Sequence, residues 1–453
     1  MKIKLAAIAK NEAAYIPQWI FHHLKCGFDG IEIWINGTTD NSRAMIAKIS
    51  EAYPGRIALQ EADELLEICK TKELNFQTQA YKKIFEETKA KGEFTHLFFL
   101  DLDEYWMSSA PDVSIHDFLS SRLDADAISL QWFIDTPDYA RDVFERIIKN
   151  EYFVRKDRHV KTILKISDRI NQVLIHNSKI TNGIFLLPDG TELAETDPEQ
   201  EHRQKVSKEY FNKTQMEPED FFIFHFVHRS QTEYTASLMR GRVHVNDNHI
   251  FKFNRAGYIP KHHSDEQHIT FNESRTLTYN HQYDDFLLEC GLSSLLAEAK
   301  DFVHAKCNHV LDLLSTNPEL IQRYSLQLSG LQIDHLQKIR RKATSPHHHI
   351  DVIRLDSGTL EIRGWVFDPL SNDPIQISVE PDFGSMVGIE RMDRPDVVKA
   401  YPTANIDCGF KVLMEIKGDH SFLQDQSSPV TVLATNTYFN VELKTSKKLT
   451  IAS

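Results

Sequence analysis

The chain has 453 residues, of which 41% are hydrophobic and 26% are charged, and its formal net charge is −13. This composition is that of an ordinary globular protein with an apolar core, and the length allows two or three domains. The acidic balance argues against a general nucleic-acid binder, because such proteins usually present a basic face.

The cysteines and the hydropathy of the chain further restrict the class of protein. The five cysteines are scattered and never spaced C-x-x-C, which favours reduced thiols of a cytoplasmic protein over a disulfide framework or a zinc site. The first residues, MKIKLAAIAKNE, contain an apolar stretch that is short and interrupted by Lys10 and Glu12, so we interpret it as a strand and not as a signal peptide. No apolar run approaches the ~20 residues that a membrane-spanning helix needs. We therefore expect membrane contact to be peripheral at most.

Strands and helices alternate through the first hundred residues. The hydrophobic pattern predicts strands at 4–9, 31–35, 56–60 and 97–100 and helices at 17–26, 42–53 and 76–91. Such alternation predicts an α/β fold with a doubly wound, mainly parallel sheet. In sheets of this kind ligands bind beyond the carboxyl ends of the strands. Polar clusters follow three of the predicted strands, at 10–12, 36–40 and 101–104, and we expect them to converge on one edge.

The pattern changes after residue 103. Strands are predicted at 126–133, 160–166, 172–180 and 183–187 without long helices between them, followed by a short helix at 233–242 and several helices over 284–341. From residue 350 onward short strands and turns recur about every ten residues, which predicts a small antiparallel sandwich. The predicted domains are thus 1–245, a mainly helical extension at 246–345, and a β-sandwich accessory domain at 346–453. Residues 342–349, with His347–His349, are interpreted as a solvated linker and not as a metal site.

The stretch THLFFLDLDEYW, residues 95–106, runs a buried strand directly into Asp101, Asp103 and Glu104. Three acids repel one another unless a positive charge lies among them. An Asp-x-Asp pair at the end of a strand is a hard-oxygen site for Mg²⁺ or Mn²⁺, metals that commonly join protein carboxylates to substrate phosphates. The alternative is an exposed acidic strand end that only caps a helix.

Four segments together resemble bacterial family-2-type glycosyltransferases, and most closely the branch related to glycosyltransferase family 92. They are KNEAAYIPQWIFHHLKCGFDGIEIWINGTTDNS, THLFFLDLDEYW, RHVKTILKI and HFVHRSQTEYTASLMRGR, and the resemblance covers about residues 1–245. It implies a GT-A fold and transfer of a sugar from a nucleotide-diphosphate donor, here a UDP-sugar, with Mn²⁺ or Mg²⁺ as cofactor. The implied setting is synthesis of a bacterial surface polysaccharide, lipopolysaccharide or capsule.

The resemblance also implies roles for single residues. Asp103 matches the direct metal ligand, and Asp101 matches the residue that contacts the ribose or a metal-bound water. The remaining matches lie around the donor nucleotide: Asn11, Glu12, Asn36, Asp40, Lys161 and Arg229.

Three positions depart from the family pattern. Ile35 stands where an acid next to the base is usual, which weakens the uridine assignment. Arg229 stands where lysine is usual, which keeps the charge but changes the geometry. Met239 stands where lysine is common, which removes one phosphate contact.

The third metal ligand and the catalytic base remain open between alternatives. His225 either completes the metal shell or is a core histidine, and His228 and His176 are weaker candidates for the same ligand. An inverting transfer needs a carboxylate to take the proton of the acceptor hydroxyl. The candidates are Asp135, Asp138 and Glu104, of which the two loop acids are otherwise surface residues.

Aromatic side chains close to these acids also have two interpretations. Trp132, Phe133 and Trp106 are placed to stack on a sugar, or they belong to the core. The aromatic residues of the C-terminal domain are equally ambiguous, since that domain fits a glycan-binding, partner-docking, folding or dimerisation role.

The leading hypothesis is a metal-dependent, hexosyltransferase-like enzyme that acts on a glycan or lipid-linked glycan acceptor. We expect it in the cytoplasm or at the inner face of the cytoplasmic membrane, with homo-oligomers allowed. A phosphatase of the haloacid dehalogenase type is disfavoured, because Tyr105 occupies the position of its Thr or Val and the motif follows the fourth strand. The other alternative is a non-catalytic glycan-binding or scaffold protein with a transferase-like fold.

Overall fold

The chain folds into two compact units, Met1–Lys252 with Ile259–Val310 and Phe253–Tyr258 with Leu311–Ser453. In these units no described helix combines the length and apolar character needed to cross a membrane. The computed structural model describes residues 1–110, 113–192, 204–217, 219–239, 250–252, 254–260, 266–343, 346–369, 374–380, 384–401, 404–416, 431–436, 440–443 and 450–451.

The first unit begins with the predicted alternation of strands and helices. The elements are β1 (Ile3–Ala9), α1 (Ile16–Lys25), β2 (Gly30–Ile35), α2 (Ser42–Ala52), β3 (Ile57–Glu61), α3 (Asp63–Thr71), α4 (Phe76–Lys91) and β4 (His96–Phe99). Local signals explain the ends: Pro17 lies in the first turn of α1, and Asn75 caps α4, which ends at the left-handed Gly92. The predicted boundaries agree within two residues. Helix α3 was not predicted, because Leu66 and Cys69 are its only buried residues.

The helices cover both faces of these strands. Trp19 and Ile20 of α1 pack with Met45 of α2 on one apolar core. Leu66 of α3 and Tyr81 of α4 belong to a second core on the opposite face. The first part of the chain is therefore doubly wound, as the alternation predicted.

The rest of the first unit is mixed. Its elements are β5 (Glu104–Ser108), α5 (Ile115–Ser120), β6 (Ala127–Asp135), β7 (Glu151–Lys165), β8 (Ile170–Gln172), β9 (Lys179–Ile180), β10 (Phe185–Leu186), α6 (Lys208–Thr214), β11 (Phe221–His225), α7 (Gln231–Ser237), β12 (Glu266–Thr270), α8 (Glu273–Glu289) and α9 (Ser293–Thr316), of which the residues from Leu311 onward are assigned to the second unit.

Several predicted elements of this part need correction. The strand predicted at 172–180 is instead split between the ends of a small hairpin, β8 and β9. The strand predicted at 160–166 is the second half of the longer β7. Helix α7 begins two residues before the predicted 233, and 240–242 lie outside the described residues.

The described strands of the central sheet follow the order β3-β2-β1-β4-β7-β6-β11-β5, with β10 beside β6 and β12 beside β7. Strands β1–β4 are parallel to one another. The predicted parallel sheet is therefore confirmed for these strands, and the sheet as a whole is mixed. Strand β7 is antiparallel to both β4 and β6, as expected where no crossover helix joins β6 to β7.

Strand direction decides where the functional candidates lie. Because β7 is antiparallel to β4 and to β6, β6 runs in the same direction as β4. Strand β11 is parallel to β6. The carboxyl ends of β1–β4, β6 and β11 therefore lie at the same edge of the sheet.

The described residues of the second unit form four short helices and two sheets. Its elements are α10 (Glu319–Arg323), α11 (Ser325–Leu328), α12 (Asp334–Ala343), β13 (His347–Asp356), β14 (Thr359–Phe367), β15 (Gln376–Glu380), β16 (Gly384–Met392), α13 (Pro395–Ala400), β17 (Gly409–Ile416), β18 (Thr431–Thr435), β19 (Asn440–Glu442) and β20 (Thr450–Ile451). The sheets, β16-β17-β14-β13-β20 and β15-β18-β19, are mainly antiparallel and share one apolar core. This arrangement is the expected sandwich.

Two of the sequence predictions concern residues of the second unit. His347–His349, interpreted as a linker, are instead the first residues of β13, where they pair with β14. The predicted helical extension, 246–345, contributes to both units, since α8 lies in the first unit and α10–α12 lie in the second. The three-domain division stays a prediction.

Candidate active site

The loops after β1 and β2 hold each other in place. Asn11 has a positive φ of 56°, and its Oδ1 accepts the N–H groups of Thr39 at 2.7 Å and Asp40 at 3.3 Å. In return, Asp40 Oδ2 accepts the N–H of Ala13 at 2.9 Å. Asn11 and Asp40, both predicted near the donor nucleotide, thus shape the two loops through bonds between them.

Asn36 and an acid that the sequence analysis missed lie at the next strand ends. Asn36 is 4% exposed, and its N–H donates to the carbonyl of Ala9 at 3.1 Å. Asp63, the first residue of α3 and two residues after the end of β3, accepts the N–H of Gly37 at 2.6 Å and contacts Arg43 at 3.2 Å, with half of its side chain exposed. A carboxylate within two residues of the end of a strand was the signal that could have identified Asp63.

Lys161 of β7 relieves the repulsion within the acid cluster. Its ammonium lies 3.2 Å from Asp101 Oδ2 and 3.1 Å from Glu104 Oε2, and its side chain is 1% exposed. The Asp101 N–H donates to Glu104 Oε2 at 2.9 Å. Burial raises the pKa of Glu104 to about 7 against the opposing effect of Lys161. Lys161, which the resemblance assigned to phosphate, is thus engaged by two carboxylates.

Asp103 has a different partner. His225 ends β11, opposite Glu104, and its Nε2 lies 3.7 Å from Asp103 Oδ1. Both side chains are partly accessible, at 13% and 17%. Burial disfavours the charged ring, but the Asp103 carboxylate outweighs it and raises the pKa of His225. The pair presents one carboxylate and one imidazole at the carboxyl edge of the sheet.

The donor atoms of this pair fit a divalent cation only in part. Among the described residues no group of three or more His, Cys, Asp or Glu side chains is arranged to hold a metal ion. Asp103 and His225 supply an oxygen and a nitrogen ligand of the kinds that Mn²⁺ accepts. The other ligands would come from water and a bound diphosphate, as is usual where such metals join protein to phosphate.

Asp135 is a buried structural acid. It forms an ion pair with Arg141, and both side chains are nearly inaccessible. The Asp135 carboxylate also accepts the N–H groups of His228 at 3.0 Å and Arg229 at 3.2 Å. Burial opposes ionisation, yet His228 and Arg141 hold the pKa of Asp135 well below its usual range. Asp135 therefore supports the loop that carries Arg229, whose φ is +52°.

Asp138 is the accessible member of the predicted pair of bases. It follows β6 in the loop at the carboxyl edge and is partly exposed. Its Oδ1 accepts the N–H of Ala140 at 2.9 Å. Of the three acids considered as base, Glu104 and Asp135 are completely buried, whereas Asp138 faces solvent in part.

A pocket lies beside the Asp-x-Asp motif. Three of the residues predicted to bind the donor line it, Asn11, Glu12 and Arg229, and Arg229 Nη2 donates to the carbonyl of Leu102 at 3.2 Å. Because Leu102 lies between Asp101 and Asp103 in the sequence, this bond joins the pocket to the motif.

The pocket also contains residues that the sequence analysis missed. The Tyr15 ring lies under the Arg229 guanidinium, at 3.4 Å from ring centre to Cζ. Glu233 enters from α7, and Lys306 enters from α9. No local pattern marks Lys306, because it stands more than sixty residues beyond the last segment that carries the resemblance.

Among the aromatic candidates, Trp132 alone is partly exposed, while Phe133 and Trp106 are core residues at 2% and 0% exposure. The Trp132 ring centre lies 4.4 Å from that of His225 and 4.9 Å from that of His159. It also packs edge-on against His176 at 5.3 Å. Trp132 therefore extends the Asp103–His225 pair into an aromatic surface.

Comparisons with known proteins complete the description. Neither a protein-family model nor a curated protein matches the chain. Among solved structures, the chain is similar to S. aureus TarS at a TM-score of 0.22 and 10% identity, over 99% of this chain and 78% of that one. It is similar to HddC from Yersinia pseudotuberculosis at a TM-score of 0.22 and 11% identity, over 36% of this chain and 77% of that one. At these values neither similarity bears on the fold or the function.

Proposed function

We propose that the chain is a metal-dependent glycosyltransferase of the GT-A type that moves a sugar from a nucleoside-diphosphate donor, UDP-linked, to a glycan acceptor. The observation that supports it is the convergence of Asp101, Asp103 and His225 beside a pocket at the carboxyl edge of the sheet. Ligands of doubly wound sheets bind at this edge. The resemblance of residues 1–245 to these glycosyltransferases implies that the activity serves bacterial surface polysaccharide synthesis.

In this proposal, Asp103 and His225 would hold Mn²⁺ or Mg²⁺, which would neutralise the charge that develops on the departing diphosphate. Asp101 cannot bind the metal as fully as Asp103, because the Lys161 ammonium lies 3.2 Å from its Oδ2. Its exposed fraction, 37%, leaves it able to accept a hydrogen bond from the donor. Lys161 keeps Asp101 and Glu104 close together without a metal.

The proton of the acceptor hydroxyl needs a carboxylate acceptor at the time of attack on the sugar. We assign this role to Asp138, because Asp135 and Glu104 are occupied by buried ion pairs. Trp132 of β6 packs against His225 of the metal pair and offers a ring on which a sugar can stack. The transfer in this scheme is a single displacement that inverts the anomeric configuration.

Titration calorimetry with uridine, guanosine, adenosine and cytidine diphosphates tests the proposal. We expect one of them to bind with Mn²⁺ present and to bind much more weakly in EDTA. Asp103→Asn keeps the shape of the side chain but removes the charge that holds the cation, so the Mn²⁺ dependence should disappear. Asp124→Asn is the matched control, because Asp124 precedes β6 and lies exposed at the opposite edge.

Activity separates an enzyme from a binding protein. Hydrolysis of the corresponding nucleotide sugar should require Mn²⁺, and transfer should fall by orders of magnitude in Asp138→Asn, without loss of diphosphate binding. Binding that is equal with and without metal would contradict the metal site. Metal-dependent binding without hydrolysis or transfer would favour the non-catalytic, glycan-binding alternative.

A further inference from the structure

Helix α9 places a positive charge in the pocket beside the motif. Lys306 lines this pocket, is partly buried, and lies in the same compact unit as β1 and α7. Its ammonium stands 5.3 Å from the ring centre of Phe302, one turn earlier on the helix. Lys306 makes no ion pair with any residue that the structure describes.

The other charges of the pocket have partners within the protein. Arg229 Nη1 lies 3.7 Å from Glu12 Oε2. Glu233 Oε2 accepts the hydroxyl of Ser230 at 2.6 Å and the N–H of Phe144 at 3.1 Å. The two acids are therefore compensated where they lie, whereas the charge of Lys306 is not. A pocket with one uncompensated positive charge attracts an anionic group as its ligand.

Arg229 connects the pocket that contains Lys306 to the Asp-x-Asp motif. The guanidinium bonds to Leu102, between the two aspartates, and covers Tyr15 in the pocket. Arg229 thus links a ligand held at Asp103 to the pocket that Lys306 and Met239 also line. Met239 is uncharged, so the positive charge in this part of the pocket comes from Lys306 of α9.

We propose that Lys306 binds a phosphate group of the donor, so that a helix outside the resembling segment completes the diphosphate site. This inference rests on the proposed function, because it assigns the anion to the nucleoside diphosphate. It makes α9 part of the donor site and assigns to Lys306 a charge-assisted contact with a phosphoryl oxygen.

The test counts phosphates. The nucleoside diphosphate that binds the wild-type protein most tightly is compared with its nucleoside and its monophosphate, each with Mn²⁺, by calorimetry. Lys306→Met keeps the aliphatic stem and removes the charge, and Lys306→Arg keeps the charge. Lys300→Met is the matched control, because Lys300 is on the same helix but lies over Phe144, outside the pocket.

We expect Lys306→Met to raise the Kd of the diphosphate about tenfold, the usual size of one charge-assisted contact. The Kd of the nucleoside should not change, and Lys306→Arg should restore most of the diphosphate affinity. Lys300→Met should bind like the wild type, and all variants should melt within about 3 °C of it, since surface substitutions change stability little.

Two kinds of result overturn the inference. Two outcomes contradict the role of Lys306 and leave the proposed function standing, and a third contradicts both. If the wild-type protein binds a diphosphate with Mn²⁺ but Lys306→Met binds it equally well, Lys306 is not a phosphate contact and the proposed function stands. If Lys306→Met weakens the nucleoside and the diphosphate alike, the lysine shapes the pocket without contacting phosphate. If the wild-type protein binds no nucleoside diphosphate, the proposed function fails and the inference fails with it.

Discussion

Replacing Glu104 by glutamine should remove a pH dependence from the stability of the first unit. Burial raises the pKa of this carboxyl from its ordinary 4.5 to about 7, although the Lys161 ammonium lies only 3.1 Å away. Between these pH values the folded protein holds a proton that the unfolded chain has released. The free energy of unfolding therefore falls as the pH rises through this window.

The size of the effect follows from the pKa shift. One pKa unit corresponds to about 1.4 kcal/mol, so the shift to about 7 removes about 3 kcal/mol of stability across the window. Glutamine cannot ionise, and its carbonyl oxygen can still accept the Asp101 N–H and the Lys161 ammonium. We expect the wild-type protein to lose this stability between pH 4.5 and pH 7 and the variant to keep it.

Urea unfolding followed by tryptophan fluorescence measures the effect, since Trp19, Trp34, Trp106 and Trp132 lie in the first unit and only Trp365 lies in the second. Glu64→Gln, on the exposed face of α3, controls for the loss of one negative charge. If the unfolding free energies of the wild-type protein and Glu104→Gln run parallel from acid to neutral pH, folding does not raise the pKa of Glu104 and the reasoning is wrong.

Three further predictions concern the buried ion pairs and the domains. Lys161→Met should cost about 3–5 kcal/mol at pH 8, where it removes the cation that favours the charged form of the buried Glu104, and less at pH 5, where Glu104 binds a proton; urea unfolding at both pH values decides. Asp135→Asn should lower the melting temperature at neutral pH by breaking the Arg141 pair. Because the pKa of Asp135 is lowered, the wild-type contribution should persist until the pH falls below the ordinary carboxyl range, and equal melting temperatures would contradict this. Deleting 346–453 should leave a folded remainder by circular dichroism, since the sandwich core contains only its own residues; an aggregated product would show the opposite.

Much of the fold was predictable because its signals are local. The apolar runs of β1, β2 and β4, the proline in the first turn of α1 and the glycine after α4 each act within a few residues. Helix α3 was not predicted, because two buried residues are too few to establish a helical hydrophobic period. The long β7 was shortened because charged residues interrupt the apolar pattern of its first half, where Lys156 is one of the buried positions.

The acid cluster shows where local reasoning ends. The pattern of residues 95–106 requires a positive charge near Asp101, Asp103 and Glu104, and the sequence analysis assigned that charge to a metal. In the structure Lys161, sixty residues later, lies against two of these acids. Only Asp103 is left facing the histidine at the end of β11.

Three features could be predicted from the order of the residues, because each depends on neighbours along the chain: the alternation of strands and helices, the position of the acids after β4 and the change to a sandwich near residue 350. Which charges lie in contact depends instead on how the strands pair. Lys161 reaches Asp101 because β7 is antiparallel to β4, and His225 reaches Asp103 because β11 pairs with β5. Strand direction and register arise from the packing of the whole sheet, and a one-residue change of register turns every side chain to the other face.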